Sequence, residues 1–193
     1  MIHNKYYEII AQFLGDFNRR IYGRELIGKI SLGQKNIALA LNDLEKEGVL
    51  SSETRGNMKY FFLNKKNPLC ERYLLLAEIM RSLLFMDKNT KLKEILSEIS
   101  SQADIVCVFG SYAKAIPKKS SDLDLFLVGK FNKREIKKIG ENYGVEISIK
   151  GGSKNDFVRA LKEDDLLINE ILKDHILISG YEQFLKEVIK QKW

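Results

Sequence analysis

The chain has 193 residues, of which 45% are apolar and 30% charged, and it carries a net charge of +6 at pH 7. These proportions are typical of a soluble globular protein, and the absence of any run of about 18 apolar residues excludes a membrane-spanning helix. No secretory signal opens the sequence, and Cys70 and Cys107 lie in apolar contexts. We therefore expect a cytoplasmic protein with two buried free thiols.

The first third of the chain predicts three helices and a hairpin. The evidence is apolar residues at helical spacing, a Gly48 stop signal after the third helix, and two strand-like runs around a turn. In order, the predicted elements are helices over 4–16, 23–30 and 34–48 and a hairpin around Gly56-Asn57.

This order resembles the winged helix-turn-helix modules of prokaryotic regulators. In that family the third helix enters the DNA major groove and the wing touches phosphates. The resemblance implies candidate DNA-binding residues on the helix (Gln34, Lys35, Asn36, Asn42) and on the wing (Arg55, Lys59). The helix departs from the family at Ala38-Leu39-Ala40, which cannot donate to a base edge. Sequence-specific binding, phosphate binding alone and a dimerisation module therefore stay open.

Two amphipathic stretches, residues 70–85 and 89–102, predict a helical connector over 68–102. Asn89 or Thr90 is the expected cap of the second helix. Core packing is the expected role of both apolar stripes, and a groove for a partner is the alternative. No flexible linker separates the connector from its neighbours.

A Gly-Ser pair and two aspartates mark the last half of the chain. The apolar run 104–110 predicts a buried strand that ends at Gly110-Ser111, with Ser111 as the cap of a following helix. A glycine before a helix start lets a phosphate approach the backbone. In the strand over 121–128, Asp122 and Asp124 share one face. Paired carboxylates beside a phosphate are typical Mg²⁺ ligands.

A third acidic ligand is expected from a neighbouring strand. Residues 144–150 alternate between apolar and polar side chains, and Glu146 is the only carboxylate predicted inside that strand. His175, in the segment Asp174–Ser179, is expected to be a surface or strand-start histidine and not a catalyst.

The spacing Gly110-Ser111, ten residues, Asp122-Leu123-Asp124 resembles the GS-x10-DxD signature of the nucleotidyltransferase superfamily, the DNA polymerase beta-like fold. Its minimal nucleotidyltransferases, antitoxins paired with HEPN toxins, are the most similar group. The resemblance implies that Asp122 and Asp124 bind two Mg²⁺ ions with Glu146 as the third acid. It also implies that Gly110, Ser111 and Lys114 bind the nucleotide. Ala115, where the family often has Gly, and Glu146, where it often has Asp, depart from the pattern.

The predicted fold class is α+β. The expected parts are a winged helix-turn-helix (1–67), a helical connector (68–102) and a nucleotidyltransferase-type mixed β-sheet with flanking helices (103–193). The resemblance implies transfer of a nucleoside monophosphate, AMP from ATP, to a protein or RNA hydroxyl. Its implied partners are a nucleotide, duplex DNA and a protein acceptor such as a HEPN-type toxin, with a homodimer as one arrangement.

The alternative function belongs to a different class. In it, the chain is a DNA-binding transcriptional regulator or an antitoxin-like protein, and the second domain senses a nucleotide or is an inactive nucleotidyltransferase fold.

Overall fold

The computed structural model describes residues 6–118 and 121–193. It is a mixed α and β structure with helices and two sheets. The chain divides into two compact units: the first ends at Ala77 and includes Trp193, and the second comprises Glu78–Lys192. The predicted domain limits at residues 67 and 102 stay a prediction.

The first unit combines short helices with a three-stranded antiparallel sheet of order β1-β3-β2. Its elements are α1 (Tyr6–Ile10), a 3-10 turn (Ala11–Phe13), β1 (Ile21–Tyr22), a 3-10 turn (Gly23–Leu26), α2 (Gln34–Lys46), β2 (Leu50–Arg55) and β3 (Met58–Leu63). The hairpin register pairs Arg55 with Met58, so the predicted turn at Gly56-Asn57 is confirmed.

The sequence prediction was partly wrong before α2. Residues 23–30 do not form a helix, because the chain makes only a 3-10 turn over Gly23–Leu26 after strand β1. Gly28 then takes a φ of +79°, which a continuing helix does not allow. The predicted third helix is confirmed as α2, whose buried stripe includes Ile37, Leu41 and Leu44.

Helix α3 (Pro68–Lys88) contains the division between the units, and the second unit continues with a mixed sheet and helices. Its further elements are α4 (Thr90–Ile99), β4 (Ile105–Val108), α5 (Gly110–Ala113), β5 (Leu123–Val128), α6 (Lys133–Asn142), β6 (Ile147–Gly152), α7 (Lys154–Lys162), α8 (Leu166–Lys173), β7 (Ile176–Ser179) and α9 (Tyr181–Lys192). The predicted connector helices and the buried strand over 104–110 are confirmed as α3, α4 and β4.

The four-stranded sheet of the second unit has the order β6-β5-β4-β7. Strand β5 pairs in parallel with β6 and antiparallel with β4. The predicted alternation along β5 is confirmed: Leu123, Leu125 and Leu127 face a core of residues from α4, α6 and neighbouring strands. On the opposite face, the ring of Phe126 lies 5.9 Å from that of Phe157 in α7.

Buried polar side chains link α3 to the segment around β7. His175 Nε2 lies 2.9 Å from Glu78 Oε1, and both residues are only 1% exposed. Arg81 donates to the His175 carbonyl, and Tyr181 donates to the hydroxyl of Ser82. His175 does precede a strand, as predicted, but it is a core residue and not a surface one.

Both cysteines are buried free thiols, as predicted. Burial raises the pKa of the Cys70 thiol to about 12 and also raises that of Cys107. Among the helices of the described residues, none combines the length and the apolar character that crossing a bilayer requires.

Candidate active site

The two aspartates of the DxD pair lie at the start of β5. Asp122 directly precedes the strand and is exposed, whereas Asp124 is its second residue and is half-buried. Leu123, between them, points into the core and is fully buried. The apolar residues of β5 therefore anchor the strand and leave the two carboxylates on the other face.

Gly110 provides the space that the Asp124 side chain occupies. A Cβ built at Gly110 would collide with Asp124 Oδ2 and lie 3.1 Å from its Cγ. Gly110 also has a φ of +68°, in the left-handed region that favours glycine. The backbone N–H of Phe109 donates to the Asp124 carbonyl at 3.0 Å. The Gly-Ser turn and the DxD strand are thus packed directly together.

Ser111 does not cap the helix, contrary to the sequence prediction. Helix α5 begins one residue earlier, at Gly110, and its N-cap position is Phe109, which makes no side-chain capping bond. The positive φ of Gly110 turns the chain out of β4 so sharply that Ser111 already lies inside the first turn.

Glu146 lies beside Asp122 because β5 and β6 are parallel neighbours. Leu123 pairs with Ile147, and the Leu123 N–H donates to the Glu146 carbonyl at 2.8 Å. Glu146 precedes β6 and is exposed, so its predicted place inside the strand was wrong by one residue. Asp122 and Glu146 line one open cleft of about 550 Å³, whose lining does not include Asp124.

Another part of the lining of this cleft comes from the junction of α3 and α4, which the sequence analysis treated only as a connector. Its lining residues are Lys88, Asn89, Thr90, Lys91 and Leu92, together with Tyr112 from α5. Asn89 occupies the predicted N-cap position of α4 without a side-chain capping bond. The sequence signal was the polar run over 87–91 between two apolar stripes, which marks the break between two helices but not the cleft that it borders.

The three acidic residues do not form a preassembled metal site. Across residues 6–118 and 121–193, no three His, Cys, Asp or Glu side chains are grouped closely enough to hold a metal ion. The donor set nevertheless fits Mg²⁺ chemically, since it consists of carboxylate oxygens. The sheet brings Asp122 and Glu146 to one cleft, and it places Asp124 against Gly110.

Lys114, the predicted phosphate contact, is paired with a carboxylate. Its Nζ donates to Glu170 Oε1 of α8 at 2.8 Å. This hydrogen bond, more than the attraction between the charges, raises the pKa of the lysine, so the ammonium form is favoured. Both side chains are partly exposed, and exposed ion pairs of this kind contribute little to stability. The pair can therefore open to release the lysine.

The predicted DNA-binding residues lie on α2 and on the hairpin of the first unit. Gln34, Lys35, Asn36 and Asn42 are all exposed along α2. A groove of about 690 Å³ runs between α2, the Gly23–Leu26 turn and β3, and its lining includes Gln34, Asn42 and Lys59. Leu39 is 52% exposed. An exposed apolar side chain on this helix suits a protein contact better than a base edge.

Both cationic candidates on the hairpin are partnered within the unit. Lys59 pairs with Glu45 of α2 at 2.6 Å, and Arg55 pairs with Glu53 at 2.7 Å. Lys59 and a nearby serine hydroxyl, both bonded to Glu45, lower the pKa of its carboxyl. A DNA phosphate would have to compete with these carboxylates for the cationic groups of Lys59 and Arg55.

Comparisons with known proteins support the prediction for the second half of the chain. Residues 90–183 match the family model "Polymerase beta, Nucleotidyltransferase". No curated protein gives a significant match. Among solved structures, the chain shows similarity to TrmBL2, an archaeal chromatin protein with a novel mode of DNA binding. That alignment covers 86% of this chain and 70% of the other, with 15% identity and a TM-score of 0.27. A score this low does not establish a shared fold.

Proposed function

We propose that the nucleotidyltransferase-type region matched at residues 90–183 is a Mg²⁺-dependent enzyme that transfers a nucleoside monophosphate, AMP from ATP, to a protein or RNA hydroxyl. The observation that carries the proposal is the packing of Asp124 against Gly110, with Asp122 and Glu146 on one adjoining cleft. This packing places the glycine turn beside the carboxylates at the start of β5 and β6, the combination that phosphoryl-type transfer needs.

The residues have separate roles in this reaction. Asp122 and Asp124 would hold Mg²⁺, which neutralises the triphosphate and the leaving pyrophosphate. Glu146 accepts the proton of the acceptor hydroxyl. The hydroxyl oxygen then forms a bond to the α-phosphorus while the bond from that phosphorus to the bridging oxygen of the β-phosphate breaks. Pyrophosphate departs with that electron pair, so the chain mainly positions groups and balances charge.

The turn at Gly110 and Ser111 is proposed to bind the triphosphate, because it packs against Asp124, one of the proposed metal ligands, and so lies beside the place where the phosphates would bind. Lys114, at the end of α5, is proposed to leave Glu170 and contact a phosphate when nucleotide binds. The Lys114–Glu170 pair is partly exposed, which supports this exchange at small energetic cost.

The first unit is proposed to be the winged helix that brings this activity to DNA or to a partner. The order of α2 followed by the β2–β3 hairpin supports this reading. The exposure of Gln34, Lys35 and Asn36 in the first turn of α2 favours contact with a duplex. The ion pairs of Arg55 and Lys59 argue that the hairpin contributes less to phosphate binding than the sequence predicted.

The test is transfer of label from α-³²P-ATP in Mg²⁺ with cell extract as acceptor. We expect label on a macromolecule with the wild type and a loss of at least about 100-fold with Asp122→Asn/Asp124→Asn, because the amides cannot neutralise the metal charge. The control is Glu135→Gln/Glu182→Gln, which removes two exposed carboxylates from α6 and α9. It should label like the wild type.

The opposite result identifies the rival function. A folded wild type that transfers no label from any of the four ribonucleotides contradicts the enzyme. It would favour a DNA-binding regulator, or an antitoxin-like protein, whose second unit binds a nucleotide or a partner without turnover.

A further inference from the structure

We propose that the wall formed by Lys88, Lys91 and Tyr112 binds the acceptor, and that this acceptor is the 3′ end of a single-stranded RNA. The inference rests on the proposed function and specifies its acceptor class. It assigns a binding role to the α3–α4 junction, which lines the same cleft as Asp122 and Glu146.

The first argument is charge. Lys88 and Lys91 are exposed, and within the described part of the chain neither takes part in an ion pair. Lys91 also lies in the first turn of α4, which contains no acidic residue. Cations are unfavourable at a helix N-terminus, because the helix dipole is already positive there. Lys91 is therefore unfavourably placed in α4, and an anionic ligand would relieve this positive potential. Lys88, in the last turn of α3, adds a second exposed cation to the same cleft.

The second argument is the aromatic side chain on the same wall. Tyr112 is half-buried, packs with its inner side against the core of the second unit and lines the cleft. Its ring is therefore held in place, with part of its surface open. Lysines combined with a fixed aromatic ring are what single-stranded nucleic acids bind, since phosphates contact the cations and a base stacks on the ring.

The third argument is the position of the carboxylates. Asp122 and Glu146 repel phosphates, so a strand in the cleft is expected to place its phosphates along Lys88 and Lys91. Its terminal ribose can then lie beside the carboxylates that line the same cleft, where Glu146 accepts the hydroxyl proton. A tyrosine on a protein acceptor brings no phosphates and makes no use of the two lysines. The cleft therefore favours RNA over protein.

The test measures binding of a 5′-fluorescein-labelled single-stranded RNA of about twelve nucleotides to the full chain by anisotropy. The test variant is Lys88→Ala/Lys91→Ala. The matched control is Lys130→Ala/Lys133→Ala, which removes two exposed lysines at the same spacing beyond the opposite end of β5. Binding of a fluorescent ATP analogue with Mg²⁺ is measured on the same samples.

We expect the test variant to bind RNA at least about tenfold more weakly and the control to stay within about twofold. The slope of log affinity against log salt should fall by about 1.4 in the test variant only, because about 0.7 ions are released per single-strand phosphate contact. Nucleotide affinity should be unchanged in both. Tyr112→Ala should weaken RNA binding, and Tyr112→Phe should retain it because the ring remains.

The inference is overturned if the wild type does not bind the RNA, or if test and control variants bind it equally. It is also overturned if label from ATP is transferred to a protein tyrosine and the test variant retains that transfer. These results are distinct from failure of the proposed function, which is the absence of any label transfer by the wild type.

Discussion

At the scale of single residues, the candidate site depends on an absent side chain. Gly110 has no Cβ, and the carboxylate of Asp124 fills the space where one would lie. The left-handed φ of +68° at Gly110 adds a second requirement for glycine. Both effects act at one position, so separating the contact with Asp124 from the backbone conformation requires substitutions at Gly110 and at Asp124 together.

We predict that Gly110→Ala lowers the free energy of unfolding by about 2–4 kcal/mol. The left-handed backbone alone costs an alanine about 1–2 kcal/mol, and displacement of Asp124 adds to it. In an Asp124→Ala background the same substitution should cost about 1–2 kcal/mol less, because the carboxylate is gone. Urea unfolding of the four proteins in this cycle gives the coupling. A coupling near zero would show that the Asp124 contact is unimportant.

At the scale of elements, α5 ends in a motif that usually contains glycine. The Ile116 N–H donates to the Ser111 carbonyl at 3.0 Å, and the Ala115 N–H donates to the Tyr112 carbonyl at 3.1 Å. These two bonds form a Schellman motif, in which the residue after the cap is left-handed. That residue is Ala115, with a φ of +56°. Ala115, where the nucleotidyltransferase family often has glycine, is therefore a site of backbone strain.

We predict that Ala115→Gly raises the free energy of unfolding by about 0.5 kcal/mol. Relief of the left-handed strain exceeds the added entropy of glycine in the unfolded chain. Ala113→Gly, within the same helix, should lower the free energy by about 1 kcal/mol. The measurement is the urea midpoint at constant m-value. Equal destabilisation by both substitutions would contradict the strain at Ala115.

The α3–β7 contact shows how an element can be fixed by polar groups. Glu78 and His175 are buried together, and Glu78 Oε2 has no hydrogen-bond partner among the described residues. Removing one member of a buried hydrogen-bonded pair leaves the other unsatisfied in the interior, which destabilises the fold. The pair therefore contributes to holding α3 in one position, and α3 leads directly to the Lys88–Lys91 wall.

At the scale of the whole molecule, the chain forms two units, each with its own sheet and core. The first unit buries three groups that must stay protonated. Burial and a hydrogen bond to Asp43 raise the pKa of Tyr6 from 10.0 to about 12. Burial and a bond to Glu47 also raise the pKa of Tyr73, and burial raises that of the Cys70 thiol from 9.0 to about 12.

These shifts predict a loss of stability at alkaline pH. The folded unit retains protons that the unfolded chain releases. The contribution of the three groups to the free energy of unfolding is therefore complete below about pH 9 and falls as the pH rises to about 12. Urea midpoints at intervals between pH 8 and pH 12 measure the fall. Tyr6→Phe/Tyr73→Phe should flatten it, because neither ring can then ionise. Tyr60→Phe is the control and should keep the wild-type slope. An unchanged slope in the double variant would contradict the prediction.

Local patterns were sufficient for most elements and for the candidate residues. The 3.6-residue and two-residue periodicities predicted α2, α3, α4 and β5 because apolar residues recur on the face that must be buried. The spacing from Gly110-Ser111 to Asp122 and Asp124 predicted the superfamily that the match at residues 90–183 supports. The roles of the site residues, including Glu146 and the DNA-binding candidates, stay predictions.

Only the tertiary structure decided which of these residues meet. The parallel pairing of β5 and β6 brings Glu146 beside Asp122, and the fold gives this acidic edge a lysine-bearing wall from the α3–α4 junction. Lys114 lies 56 positions from Glu170 in sequence, and Glu78 lies 97 from His175. Periodicity describes how a segment buries its own face, whereas these pairs depend on the packing of distant segments, for which the sequence carries no local signal.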